Sequence, residues 1–223
     1  EVAENIDCDA DLVYDCSGLS AFPALCDIHV HFRDPGFTYK EDVVSGCHAA
    51  AAGGFTAVAC MPNTKPVCDS VEIADYIMKK AEPTGVKVYP VCAVTKGMSG
   101  AEAADYDEYV KAGIKMISDD GRPVENTKYL SDAMKKAPKL GMTIVAHCED
   151  LFLADGGKIN EGEVSEKLGV RGIPSGAEDC GTAREIALAA ALNEPIHICH
   201  VSTKTSVALI RDAKRRGVKV TAE

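Results

Sequence analysis

Ala24-Leu25-Cys26-Asp27-Ile28-His29-Val30-His31 is an apolar run that ends in two histidines one residue apart. Side chains two apart on a β-strand share a face. As a strand, this run delivers both imidazoles in one direction at its C-terminal end. Outward from it, six more short apolar runs follow: Phe55–Met61, Val86–Val94, Gly113–Ser118, Thr143–His147, Pro195–His200 and Val218–Ala222. They are nearly continuous in hydrophobic residues, the pattern of strands covered on both faces. Between them the spacing predicts helices over about Glu41–Ala52, Ser70–Ala81, Ala101–Ala112, Asn126–Leu140, Cys180–Leu192 and Thr205–Arg216, with Ser70 as a start and Gly141 and Gly217 as stops. A strand–helix unit repeating every ~30 residues implies parallel strands with right-handed crossovers. Two architectures satisfy that. A doubly wound sheet often carries a glycine-rich phosphate turn after its first strand; here that place holds His-Val-His. The reading is therefore an α/β chain forming a (β/α)8 barrel over residues 21–223, incomplete, with about seven of the eight strands present. Residues 1–20 fall outside the repeat. Val2–Gly18 reads as a short strand and turn, the tail of a small N-terminal β element. The stretch Cys148–Asp179, with its Gly172-Ile173-Pro174-Ser175 turn, reads as one long connection, functional or mobile.

The bulk properties exclude several function classes. The chain has 223 residues, 46% hydrophobic and 26% charged, enough for one sizeable core. A net charge of −10 repels phosphate backbones, which argues against nucleic-acid binding. No apolar stretch approaches the roughly 20 residues of a membrane span. The chain begins at Glu1 and shows no signal peptide. Its ten cysteines are scattered without CxxC spacing, and Cys60, Cys92 and Cys199 lie in apolar runs. They are read as reduced, buried thiols of a cytoplasmic protein.

The His29/His31 pattern recurs in weaker form. The fifth run ends at His147, the sixth at His200, and the fourth runs into Asp119-Asp120-Gly121. In a barrel the C-terminal strand ends converge on one mouth, where active sites sit. Four of the six histidines fall at such ends. Four imidazoles and a carboxylate exceed a single structural metal site and suit two metals sharing a bridging ligand, about 3.5–4 Å apart. The reaction class this implies is hydrolysis of an amide, ester or phosphoester. His48 lies within the first helix and is read as an ordinary helix residue. His197 alternates against His200 and should face the helices. Cys148 and Cys199 flank ligands but should point away from them, into the core. Lys214-Arg215-Arg216 ends a helix, where cations suit the dipole.

Five segments together resemble the bacterial dihydroorotases, in the order that family has them. They are Asp27-Ile28-His29-Val30-His31-Phe32-Arg33-Asp34-Pro35-Gly36, Met61-Pro62-Asn63-Thr64, Ser118-Asp119-Asp120-Gly121-Arg122-Pro123, Ala146-His147-Cys148-Glu149-Asp150 and His200-Val201-Ser202-Thr203-Lys204. The resemblance runs from about residue 18 to the end, and it implies a metal-dependent amidohydrolase barrel of the TIM type. It also implies roles. His29 and His31 bind one zinc, His147 and His200 a second, and Asp120, the aspartate directly before the glycine, bridges them. Arg33 and Asn63, with His31 beside them, hold the substrate carboxylate. Related cyclic amidohydrolases bridge their metals with a carbamylated lysine instead. Lys115 stands near that place, and its own reading is an outward-pointing lysine at the rim. The family's catalytic aspartate belongs to the eighth strand, beyond residue 223. No catalytic general base is therefore expected within this chain, and the piece alone is expected to be inactive. The family's Pro-Gly turn before the first strand is Pro23-Ala24 here.

The activity so implied is reversible hydrolysis of dihydroorotate to N-carbamoyl-aspartate in pyrimidine synthesis, with two zinc ions per subunit. A homo-oligomer or an association with aspartate transcarbamoylase is the implied setting. A hydantoinase- or allantoinase-like enzyme is the alternative if Lys115 is the bridge. A non-catalytic dihydroorotase-like subunit is a third reading, opposed by the presence of every metal ligand the family has before residue 223.

Overall fold

The computed structural model describes residues 3, 4 and 6–223. Glu1, Val2 and Asn5 lie outside the described residues. Seven strands run parallel: β1 (Leu25–Val30), β2 (Phe55–Cys60), β3 (Lys87–Pro90), β4 (Met116–Ile117), β5 (Thr143–Ala146), β8 (Ile196–Ile198) and β9 (Val220–Ala222). They pair as β1-β2-β3 and β4-β5-β8-β9, and a single bridge from Cys92 to Ile117 joins the two groups. The spatial order thus follows the chain order. That is the wrap of a barrel and not the reversal of a doubly wound sheet. These are the seven strands the apolar runs predict.

The helices between them are α1 (Val43–Ala52), α2 (Val71–Ala81), α3 (Tyr106–Lys111), α4 (Thr127–Lys136), α7 (Ser175–Leu192) and α8 (Lys204–Arg215). Side chains cap several of the starts. The Asp42 carboxylate accepts from the backbone N–H groups of Val44 and Ser45, Asn126 caps α4 and Thr203 caps α8. Gly141 and Gly217 take left-handed conformations (φ 71° and 79°) after their helices, as helix stops should. Among the described residues no helix is long and apolar enough to cross a membrane.

Strand alternation divides the core in two. Val58, Ile117, Ile144 and Ile198 face outward and pack with helix residues such as Ile77, Met134 and Ile186. Ala59, Met61, Val91, Val145 and Cys199 face inward and fill the barrel. Each fully buried aliphatic side chain contributes about 1.5–3 kcal/mol relative to an exposed one.

Several expectations need correction. The stretch Cys148–Asp179 is not one loop. It forms α5 (Leu151–Ala154), α6 (Glu163–Leu168) and a small parallel pair, β6 (Ile159–Asn160) with β7 (Gly172–Ile173). The helix after it begins at Ser175, directly after Pro174, and not at Cys180. Its early start brings Gly181 against the end of the fifth strand. A Cβ at Gly181 would lie 2.7 Å from the Glu149 nitrogen, so only glycine permits that approach. The third helix is shorter than its periodicity predicts. Ala103 bridges to Thr95, Ala104 N–H bonds to Val94, and Asp105 caps a helix that starts at Tyr106. The strand expected over Val2–Gly18 is not formed among the described residues of that stretch, where Leu12, Val13 and Tyr14 are exposed. A strand needs a partner ladder, and no described strand pairs with this segment. All ten cysteines are free, as expected, but Cys8, Cys16, Cys26 and Cys180 are exposed instead of buried.

Candidate metal centre

Four imidazoles surround one carboxylate. His29 is the penultimate residue of β1 with His31 just past its end, and their Nε2 atoms lie 3.5 Å from Asp120 Oδ1 and 3.5 Å from Asp120 Oδ2 respectively. His147, after β5, places Nδ1 3.4 Å from Oδ1, and His200, after β8, places Nε2 3.4 Å from the same oxygen. The structure thus brings together all five residues that the sequence singles out. Charge-assisted hydrogen bonds to a carboxylate run at about 2.7–2.9 Å, so these four separations are too long for strong ones. They match instead the ligand-to-ligand edge of a coordination shell, about 3.3–3.5 Å for metal–ligand bonds near 2.0–2.2 Å. The donors divide into two sets that share the aspartate, His29–His31–Asp120 and Asp120–His147–His200. In each set the ligand atoms lie within 4.8 Å of one another. The residues present therefore fit a metal pair.

The two neighbouring aspartates differ sharply. Asp119 turns away from the histidines and accepts from the Val94 and Thr95 backbone N–H groups at 2.8 and 3.1 Å, and from the Thr95 hydroxyl. Burial pushes its carboxyl up to about 6 against those bonds. Asp120 is buried too, which by itself disfavours its charge. The His147 and His200 hydrogen bonds and the nearby imidazole charges overcome burial and hold it below the usual carboxylate range. Burial keeps the His31 imidazole below its ordinary value, the neutral form a metal ligand needs. At His147 burial also lowers, but Asp120 and Glu149 outweigh it and the net shift is upward.

The outer nitrogens are held as well. Asn63 Oδ1 lies 2.9 Å from His31 Nδ1, and its Nδ2 donates to Asp120 Oδ2 at 3.1 Å. Arg33 Nη1 donates to the same Asn63 oxygen at 3.3 Å, from a left-handed backbone (φ 60°). Arg33, Asn63 and His31 thus form one connected group at the mouth. Asp34, fully buried, anchors the Arg33 turn: it accepts from Tyr76 Oη at 2.9 Å, Lys80 Nζ at 2.5 Å and Val43 N–H at 3.3 Å.

Two carboxylates escape the sequence reading. Glu149 Oε2 lies 3.5 Å from His147 Nε2, and Glu223 Oε1 lies 3.0 Å from His29 Nδ1. The rule that finds the histidines, a polar residue at a strand's C-terminal end, could have found Glu223. Glu149 stands two residues after His147. Lys115 is exposed, before β4 begins. His197 overturns its expectation, and Cys199 does so in part: it is buried in the core as expected, but on the ligand side. Both face the barrel interior: Cys199 packs with Val145 and Met61, and His197 Nε2 lies 4.0 Å from Glu223. Strict alternation would then turn His200 outward. It reaches the mouth because β8 has ended at Ile198 and His200 adopts a left-handed backbone (φ 39°), which breaks the period of two.

A parallel barrel wrapped in chain order, with imidazoles of three strands focused on a carboxylate from a fourth, is the architecture of the barrel amidohydrolases. Among solved structures it is similar to L-hydantoinase (dihydropyrimidinase) from Arthrobacter aurescens, with TM-score 0.76 and 20% identity over 97% of this chain and 50% of that one. D-hydantoinase (dihydropyrimidinase) from Thermus sp. matches with TM-score 0.63 and 21% identity over 90% of this chain and 46% of that one. At such identities the likeness shows the fold. The family itself is narrower: a model described as dihydro-orotase-like matches residues 19–206, and the chain belongs to that family. Relatives named dihydroorotase from Geotalea daltonii and Acetivibrio thermocellus are 50% and 48% identical over all of this chain and 53% of their own length. The chain spans about half the length of the curated relatives it matches.

Proposed function

We propose that the protein carrying this chain is a zinc-dependent dihydroorotase, which interconverts dihydroorotate and N-carbamoyl-aspartate by hydrolysis of a cyclic amide in pyrimidine synthesis. One observation carries the reading: the four imidazole-to-Asp120 separations of 3.4–3.5 Å, set beside the Arg33–Asn63–His31 group. The name borne by relatives near 50% identity supports the choice of substrate.

His29, His31, His147 and His200 would hold two zinc ions, with Asp120 between them. When bound, such a pair lowers the pKa of water toward 7 and polarises a carbonyl oxygen. The chain's own residues supply orientation. The Arg33 guanidinium matches a substrate carboxylate in its bidentate fork. Asn63 fixes that fork relative to His31 and Asp120 through three contacts of its amide. Holding the ring amide against the centre converts an encounter into an intramolecular event. We assign proton delivery to the leaving nitrogen to an aspartate of the family pattern outside these 223 residues. The free thiols accord with a cytoplasmic setting.

The test is metal content together with dihydroorotate turnover in the full-length protein, wild type against Asp120→Ala. The expected result is about two zinc ions per chain and turnover in the wild type, both lost in Asp120→Ala. Full metal retention in Asp120→Ala overturns the aspartate bridge. Metal without dihydroorotate turnover in the wild type overturns the substrate.

A further inference from the structure

A ligand imidazole is ordinarily oriented through its other ring nitrogen. Three of the four here are: His29 by Glu223, His31 by Asn63 and His147 by Glu149. His200 is the exception among the described residues. Its hydrogen-bond partners are His147 and Asp120, both members of the centre itself, and its side chain is 43% exposed. Its ring is therefore placed by its backbone, which stands in the left-handed region (φ 39°) at the head of the 200–203 turn.

That turn is gripped by the first turn of α7. Glu178 Oε1 accepts from the Ser202 and Thr203 backbone N–H groups, both at 3.0 Å, and Oε2 accepts from the Ser202 hydroxyl. Burial alone would raise the Glu178 carboxyl, but these bonds outweigh it and hold it below its ordinary range, so it grips as an anion. Asp179 beside it accepts from the Thr203 and Ser206 hydroxyls. The same turn of α7 is fastened to the segment of the other histidine, where Asp150 N–H donates to the Ala177 carbonyl at 2.9 Å. One helical turn thus ties the segment of His147 to that of His200, the two imidazoles of the Asp120–His147–His200 set.

We infer that Glu178 is a positioning residue for the His147–His200 half of the metal pair, and that it acts on His200 through the backbone of the 200–203 turn. The inference rests on the metal-pair reading above. A plain helix cap is the simpler role, but α8 already has its cap: the Thr203 hydroxyl accepts from Ser206 N–H. The Glu178 bonds go instead to the residues between His200 and that helix. Without the carboxylate, two backbone N–H groups lose their acceptor. The turn can then carry His200 away from Asp120, while His29 and His31 keep their own outer partners.

The experiment is a Co²⁺ titration of the metal-stripped full-length protein, followed by visible absorption and metal count. Wild type should take up about two ions per chain. Glu178→Ala should hold one of them about 10–100-fold more weakly and the other unchanged, with its melting temperature confirming the fold. Glu178→Gln keeps a carbonyl acceptor at the same reach and should recover most of the lost affinity. In a His200→Ala background, Glu178→Ala should weaken metal binding no further, because it acts through that imidazole. Glu178→Asp keeps the charge but draws it back by one methylene; it should show the same selective loss, and it carries the test if Glu178→Ala does not fold. Wild-type affinities in these variants, both ions weakened alike, or a further loss in the His200→Ala background overturn the positioning role. A wild type that takes up no pair of ions overturns the metal centre, and the positioning role with it.

Discussion

Asp119 and Asp120 are adjacent in the chain and turn their carboxylates into opposite surroundings. Asp119 ties down the backbone of Val94 and Thr95, while Asp120 faces four imidazoles. The two positions therefore separate stability from metal binding. Asp119→Ala strands two buried N–H groups and should destabilise the fold by about 1–3 kcal/mol, with metal content kept. Asp120→Ala should lose metal at a smaller cost in melting temperature. Chemical denaturation and metal analysis of the two variants check this; equal metal loss in both would contradict it.

Lys115 offers a second contrast. It is exposed and precedes β4, whereas Asp120 is buried among the histidines. Lys115→Ala should leave metal per chain unchanged, and added bicarbonate should have no effect on reconstitution. Metal loss in Lys115→Ala would move the bridge to the lysine.

Arg33 makes a third prediction. A lysine keeps the charge but loses the planar fork, so Arg33→Lys should raise KM for dihydroorotate about tenfold or more, which corresponds to ~1.4 kcal/mol. Metal content should not change. Steady-state kinetics on the full-length protein measures it, and an unchanged KM would remove Arg33 from the substrate.

The Asp34 anchor is testable by stability alone. Lys80→Met deletes the cation beside a fully buried carboxylate but leaves the Tyr76 hydroxyl and Val43 N–H in place. Breaking a fully buried pair costs about 3–5 kcal/mol. Lys80 is about one-third exposed, so water screens part of the loss and roughly 1–3 kcal/mol is expected. A urea melt reads the difference. The companion Asp34→Asn/Lys80→Met should recover part of it, because no buried charge is then left unpaired.

The barrel and most of its centre were legible in the sequence, because both rest on local periodicity. Seven apolar runs separated by amphipathic helices fix parallel strands, and a polar residue ending a run must emerge at the barrel mouth. His29, His31, Asp120, His147 and His200 followed from that rule and from the resemblance of their segments. Period-two alternation failed at β8, where it turned His197 and Cys199 the wrong way, since one left-handed residue at His200 resets the parity. The stretch after His147 was likewise misread as loop. Its helices are four and six residues long, too short for a periodic signal to show, and its strands pair only with each other.

By itself, then, the sequence determined the seven barrel strands and their order, the presence of the main helices between them, and which side chains stand at the strand ends. Only the tertiary structure decided which nitrogen of each imidazole meets which partner, that Asp119 and Asp120 divide their work, and that Glu149, Glu223, His197 and Cys199 join the neighbourhood. The reason is physical. Alternation and amphipathicity are properties of a few consecutive residues, whereas a contact such as His29 with Glu223 spans 194 positions and exists only once the strands are wrapped.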